Sequence, residues 1–264
     1  GAIGNAVSVH TDPDGENYVS LGAPADLNFG TDSDFSVSYW INSPGCNSDS
    51  AVIANKNWAS GGNDGWALFV SGGDEARMNI DTPGAVDRDD YNSGTVIIDG
   101  TWHHVVGVFD RTAFTFTMYI DGVEVGGTSI ADSAGDVSTP AGNSTNIGQD
   151  GTGAYNSGSN GLNDGTLIDD VGIWRRTLSG PEAASIYRQG LAGNDLQSAS
   201  GETLGQVTYV PVGGASVQID WRGQAGAVVQ RADVITGPWT TVPGTDGVST
   251  YTATEPGFYR VAKP

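Results

Sequence analysis

Cations are scarce in this chain. Of its 264 residues only 11 are Lys or Arg, against 31 Asp or Glu, and the formal net charge is −20. Nucleic acid and anionic membranes both need a basic patch, so the composition argues against either as a partner. Cysteine is almost absent. Cys46, in the loop Ser43-Pro-Gly-Cys-Asn-Ser, has no second thiol to pair with and reads as an incidental loop thiol, not a nucleophile. No apolar run approaches the ~18 residues of a membrane span. Glutamate is rare too: Glu16, Glu75, Glu124, Glu182, Glu202 and Glu255 are spread far apart. Methionine first occurs at Met78, so the expectation is a chain trimmed of a signal peptide or cut from something longer.

Aspartate and glycine are abundant instead. The 25 Asp suit turns and calcium sites, which favours an extracellular protein, and they equally suit a surface adapted to salt. The 40 Gly fit many short strands and tight turns. The most regular stretch runs from Gly100 to Val125. In it Phe114, Phe116, Met118 and Ile120 share one parity while Thr115, Thr117 and Tyr119 take the other, as in a half-buried antiparallel strand. Asp121-Gly122 supplies a tight hairpin turn. The strand before it, Trp102 to Phe109, is apolar on both faces and belongs inside a sandwich.

Trp102-His-His-Val-x-x-Val-Phe-Asp110 followed by Phe116-x-Met-Tyr-Ile-Asp-Gly-x-x-Val125 resembles the central hairpin of laminin-G-like and pentraxin-like jelly-roll domains, within the concanavalin A-like lectin/glucanase superfold. Glu16-Asn-Tyr-Val-Ser-Leu21, Leu27-Asn-Phe29, Phe35-Ser-Val-Ser-Tyr-Trp-Ile41 and Leu167-Ile-Asp-Asp-Val-Gly-Ile-Trp174 follow in the same order, so the resemblance covers residues 5 to 190. It implies an all-β fold: a two-sheet antiparallel jelly-roll sandwich followed by a small β-sandwich-like module. Residues 1–196 read as the jelly roll, 197–206 as a linker and 207–264 as a small C-terminal β-domain that loosely resembles fibronectin III modules. Ser179-Gly-Pro-Glu182 is a helix start, and Gly190 marks its expected stop.

Catalytic signatures of the superfold are missing. Its glucanases carry E-x-D-x-x-E on one strand, and its polysaccharide lyases need an Arg-rich strand and a Gln-x-His. Neither occurs here. Calcium is the expected cofactor, in two versions. The resemblance to pentraxins puts Asp150, in Ile147-Gly-Gln-Asp150, and Asp64 in the places of two calcium ligands. Gly65, Gly151 and Thr152 stand where further ligands would be. In the second version, a structural ion common in such jelly rolls, Asp12, Asp14 and the Gly15 carbonyl face Asp169 or Asp170. By parity Asp169 points inward unless the strand is bulged.

Sugar binding needs aromatic platforms beside planar polar groups. Trp58, Tyr91 and Tyr155 lie in three long polar segments, with Asp64, Arg88, Asp90, Asn146, Asp150 and Asn156 beside them. Trp40, Trp66, Trp102 and Trp174 lie in strands and read as core. The functional expectation is a non-catalytic carbohydrate-binding, lectin-like module of an exported bacterial protein, secreted or on the cell surface. It would hold calcium, bind a polysaccharide or glycan, and belong to a larger parent protein with further domains. The alternatives are an adhesion or scaffold domain with a protein partner, and a polysaccharide-degrading jelly roll without a recognised signature.

Overall fold

Residues 35–42, 50–54, 65–70 and 103–110 are strands buried along nearly their whole length, and burial alternates at the edge strand over 89–96. The computed structural model describes residues 4–12, 15–47, 49–59, 63–83, 88–130, 135–157, 160–194, 196, 208–210, 217–220, 227–234, 236–246, 248 and 250–262. For residues 10–12, 15–16, 208–210, 217–218, 220 and 250 only the backbone is described. The chain divides into two compact units, Gly1–Leu196 and Gln197–Pro264.

The first unit contains, in chain order, β1 (Val7–Ser8), β2 (His10–Asp12), β3 (Gly15–Asn17), β4 (Val19–Ser20), β5 (Phe35–Asn42), β6 (Ser50–Ala54), β7 (Gly65–Val70), β8 (Glu75–Asp81), β9 (Asp89–Val96), β10 (His103–Asp110), β11 (Thr115–Ile120), β12 (Val123–Ser129), β13 (Asn146–Ile147) and β14 (Leu167–Trp174). Two antiparallel sheets form a jelly-roll sandwich. The first has the order β1-β14-β5-β10-β11-β12 and the second β4-β13-β6-β7-β8-β9. Between them lies a core built on Phe35, which stacks on Phe29 at 4.0 Å and on Phe109 at 4.2 Å between ring centroids. Trp66 and Phe116 close that aromatic cluster against Leu68, Met78 and Ile80.

The hairpin between β11 and β12 turns at Asp121 and Gly122, both at positive φ (52° and 76°), the pair that a two-residue turn of this hand requires. The outer face of the first sheet is covered. Trp40, His104 and Tyr187 stack there, with Trp40 and Tyr187 centroids 5.5 Å apart. Tyr187 belongs to helix α1 (Gly180–Leu191), whose start is fixed by Glu182: its carboxylate accepts the Ser179 N–H at 2.8 Å and the Ser179 hydroxyl at 2.7 Å. Gly190 is not the stop expected from sequence. The Gly193 N–H donates to the Gly190 carbonyl and the Asn194 N–H to the Gln189 carbonyl, with Gly193 at φ 74°. That is the usual glycine-ended cap. Gly190 is instead where the helix meets Trp40: a Cβ there would lie 2.6 Å from the indole.

Two further expectations change. The polar segment that carries Tyr91 is in large part a strand and not a loop, because β9 begins at Asp89. Polar side chains bind this edge on its outer face: Asn79 donates to Asp90 at 2.8 Å and Asn92 to Glu75 at 2.7 Å across the β8–β9 pair. Asp169 lies opposite Trp40 in the β14–β5 register and so shares the outer face. A bulge follows at Asp170, φ 46°, and restores Ile173 opposite Val37 on the inner face.

The second unit pairs β15 (Thr208–Val210), β20 (Gly257–Ala262), β17 (Val228–Ala232) and β18 (Thr240–Thr241) in that order, with β16 (Val217–Asp220) on β19 (Thr250–Ala253) beside them. Its core is Ala227, Val229, Ala253, Tyr259 and Val261.

Candidate functional site

The outer face of the second sheet is where chemistry gathers. Apolar Trp66, Leu68 and Val70 of β7 and Ala76, Met78 and Ile80 of β8 point into the core, which turns the intervening residues outward. Cross-strand pairing then lays two rows over that face: Ala54, Ala67, Asn79, Asp90, and Ala51, Phe69, Arg77, Asn92. The alanines leave a hollow that Trp58 covers. Its ring packs on Phe69 with centroids 4.2 Å apart, its Nε1–H donates to the Asp49 carbonyl at 2.9 Å, and only 8% of the residue is exposed.

Beside Trp58 opens a cavity of about 220 Å³ lined by Asp49, Trp58, Ala59, Phe69, Arg77, Arg88, Asp90 and Tyr155. One chain of hydrogen bonds runs beneath its edge. Lys56, buried under Trp58, donates to Asn79 Oδ1 at 2.7 Å; Asn79 Nδ2 donates to Asp90 Oδ1; and Arg88 Nε donates to Asp90 Oδ2 at 2.8 Å. Burial pulls the Lys56 ammonium down to about 8, while the carboxylates of Asp81 and Asp90 act against that. The Arg88 guanidinium also stands over the Trp58 ring, 5.6 Å from its centroid.

Asp150 positions the aromatics from below. It is fully buried, and its Oδ1 accepts the Thr152 hydroxyl at 2.7 Å and the N–H groups of Thr152, Ala154 and Tyr155 at 3.1–3.3 Å. Its Oδ2 accepts the Trp58 N–H at 3.0 Å. Asn156 anchors the same loop: its side chain accepts the Ala51 N–H and donates to the carbonyls of Ala51 and Gly148, standing in for a neighbouring strand at the β6 bulge. Asn146 donates to the Asp150 carbonyl.

Of the residues picked out from sequence, Trp58, Arg88, Asp90 and Tyr155 meet at the cavity. Asp150, Asn146 and Asn156 are buried and hold loops. Tyr91 is in β9, not a loop; its ring packs against the core and its hydroxyl donates to the Val125 carbonyl. Asp64 has Asp81, Lys56 and Asp136 as charged neighbours, and burial, then Asp81, raise its carboxyl. Asp49 and Arg77 were missed. The signal for Arg77 was present: apolar residues at 76, 78 and 80 send residue 77 outward.

The donor set at Asp150 does not fit calcium. Five N–H and O–H donors already occupy its two oxygens, and calcium asks for six to eight oxygens of its own. Neither glycine that departs from the pentraxin pattern has room for a ligating side chain. A Cβ on Gly65 would lie 2.4 Å from Asn55 Oδ1, and one on Gly151 would lie 2.5 Å from the Asn55 carbonyl. In the other version, the β1–β14 register carries the chain out past Thr166, whereas Asp169 and Asp170 lie further along β14 in the opposite direction. The Asp12 side chain and all of Asp14 fall outside the described residues. Among the described residues no three His, Cys, Asp or Glu side chains converge on one point. Cys46 is no nucleophile either: burial and its hydrogen bond to Asp74 push the thiol up to about 12.

A jelly-roll sandwich of two antiparallel sheets, one face covered by a helix and the other carrying a polar, aromatic-walled cavity, is a concanavalin A-like domain. The chain belongs to the concanavalin A-like lectin/glucanases superfamily, whose Laminin_G_3 family matches residues 13–184. No curated protein matches it. Its fold is similar to the binding domain of Paraclostridial Mosquitocidal Protein 1, at 14% identity and a TM-score of 0.52 over 86% of this chain and 52% of that one. It is also similar to the binding domain of botulinum neurotoxin serotype G, at 11% identity and a TM-score of 0.52 over 95% of this chain and 57% of that one. A third is the Ruminococcus gnavus IT-sialidase CBM40 solved with α2,3-sialyllactose, at 11% identity and a TM-score of 0.50 over 70% of this chain and 97% of that one. The chain thus spans about half the length of the two toxin binding domains. Among the described residues no helix is long and apolar enough to cross a membrane.

Proposed function

We propose that the first unit is a non-catalytic glycan-binding module, with its site in the cavity on the outer face of the second sheet. The observation that carries this reading is the cavity lining: two aromatic walls, Trp58 and Tyr155, beside Arg88, Asp90 and Asp49. An aromatic face takes the apolar face of a sugar ring, and planar charged groups take its hydroxyls. The volume of about 220 Å³ is below the ~300–1,000 Å³ of pockets for drug-sized ligands. One sugar residue enters, and the rest of a chain stays outside.

Similar folds support the reading, since the solved structures named above are binding domains and one holds a sialylated sugar. Export to the cell surface or medium goes with a glycan ligand, and further domains of a parent protein go with a binding module. The test is a glycan array followed by calorimetry on the hits, together with reducing-sugar and unsaturated-product assays. Binding that is lost in Tyr155→Ala supports the module. Turnover of a bound glycan would make it an enzyme, and no glycan on the array would leave the protein-adhesion reading.

A further inference from the structure

We propose that the cavity takes an acidic sugar, whose carboxylate is held by Arg77 and Arg88. This rests on the glycan-binding reading and narrows its ligand.

This protein has few arginines, and most of the described ones are engaged by their neighbours or by water. Arg111 and Arg175 donate to backbone carbonyls, Arg176 pairs with Glu182, Arg231 with Asp233, and Arg260 donates to Gln230. Arg188 is exposed on α1, where water solvates it. Arg77 is different. It is half-buried in the cavity wall, and its Nε is shielded from water with no hydrogen-bond partner among the described residues. In a chain with 31 acidic residues against 11 cations, a guanidinium in the cavity wall with no ion-pair partner among the described residues is an open valence. A ligand anion closes it.

Arg88 stands at the same cavity. It gives Nε to Asp90 and stands over the Trp58 ring, and with no other hydrogen bond to a described residue its two Nη groups remain for a ligand. Two guanidinium forks suit a planar carboxylate better than a hydroxyl, because each presents parallel N–H groups at carboxylate spacing. The acceptors in the lining have the complementary task. Asp49 and Asp90 accept hydroxyl protons, which a sugar supplies and a simple carboxylic acid does not. Tyr155, half-buried at the opening, offers its ring to the sugar face. Carboxylate, hydroxyls and one ring face together describe a uronic or sialic acid residue.

Calorimetry on the full chain with two matched pairs tests this: 3′-sialyllactose against lactose, and a glucuronic-acid disaccharide against its carboxyl-reduced form. The two pairs separate a sialic from a uronic source. At least one acidic member is expected to bind about tenfold tighter than its neutral partner, the size of one added hydrogen bond to a charged group. Arg77→Gln is expected to erase that preference with an unchanged Tm, since no described residue loses a partner. If Arg77→Gln fails to fold, Arg77→Lys carries the test: it keeps the charge, loses the fork and weakens the acidic member more than the neutral one. Equal affinity within both pairs, or a preference that survives both variants, overturns the proposal. Should only neutral glycans bind, and do so through Tyr155, the acidic ligand is wrong and the glycan module stands. Should no glycan bind at all, both fall.

Discussion

The carboxylate of Asp150 accepts the backbone N–H of Trp58 at 3.0 Å. Its other oxygen accepts the N–H of Tyr155 at 3.3 Å. One buried side chain thus ties the loop after β6 to the loop after β13 and brings the two aromatic walls of the cavity together. Replacing it by Ala strands those donors. The Trp58 N–H is left buried without a partner, which costs roughly 1–3 kcal/mol, and the part-buried donors of the 152–155 loop add less, so Asp150→Ala should lower stability by at least that unit and abolish glycan binding as the walls part. Denaturant melts and calorimetry read the two effects. Calcium should leave the wild-type Tm unmoved through this site, because amides and not a cation satisfy the carboxylate. A calcium-dependent rise in Tm that disappears on chelation and in Asp150→Asn would reverse that account.

Trp58 and Tyr155 share a cavity but not a role. Trp58 is packed on Phe69 and only 8% exposed, so truncation opens a hole in the face of the sheet. Trp58→Ala should cost about 3–5 kcal/mol in stability, as large aromatic deletions do. Tyr155 is half-buried at the loop, and Tyr155→Ala should cost about 1–3 kcal/mol in binding, as loss of a contact anchor does, with little change in Tm. Thermal melts and titrations on both variants check the division. The opposite pattern, Trp58→Ala stable but non-binding, would make Trp58 the exposed platform.

Most of the sandwich was legible because its signal is local. Alternation marked β5 and β11, an apolar run on both faces marked β10, and Asp121-Gly122 marked the turn from β11 to β12. The site was legible only in pieces. Trp58, Arg88, Asp90 and Tyr155 could be named from their segments, but nothing local says that Asp150 joins two loops, or that Tyr91 turns inward as part of β9. That strand, Asp-Asp-Tyr-Asn-Ser-Gly-Thr-Val, has a poor strand composition and forms because Asn79 and Glu75 on β8 meet Asp90 and Asn92. The bulge at Asp170 likewise reverses a parity that the sequence alone extends unbroken. Long-range pairing decides each of these cases, and a single sequence does not display it.

Residues 1–196 should fold without the second unit. Among the described residues their core runs from Val9 to Ile168 and takes in none beyond 196. The described part of the second unit's core is Ala227, Val229, Ala253, Tyr259 and Val261, the last two from its last strand. A module of roughly 60 residues has little margin over the entropy of ordering the chain. The 1–196 fragment should melt cooperatively near the Tm of its transition in the full chain, and a 207–264 fragment should show poor amide dispersion. A fragment 1–196 that melts without cooperativity would show that the jelly roll depends on the tail.

His104 should make the first unit sensitive to acid. It is fully buried between Trp40 and Tyr187, and neither ring nitrogen has a hydrogen-bond partner among the described residues. Burial pulls it from its ordinary 6.5 down to about 3. The folded state therefore refuses a proton that the unfolded chain takes up between those two values. The contribution is complete above pH 6.5 and is lost as pH falls through the window towards 3. The slope is about 1.4 kcal/mol per pH unit. Asp121 stands close, with its Oδ1 accepting the His104 backbone N–H at 2.9 Å, but its other oxygen is taken by His103. Phenylalanine keeps a ring between Trp40 and Tyr187 and has no nitrogen to desolvate. His104→Phe should therefore match or exceed wild-type stability at pH 7 and lose less of it between about pH 6.5 and pH 5, above the range in which Asp and Glu take up protons. Urea melts of both proteins across that range give the difference directly. Parallel curves would mean that His104 takes up its proton in the folded state as readily as in the unfolded one, and that the ring is not sealed beneath α1.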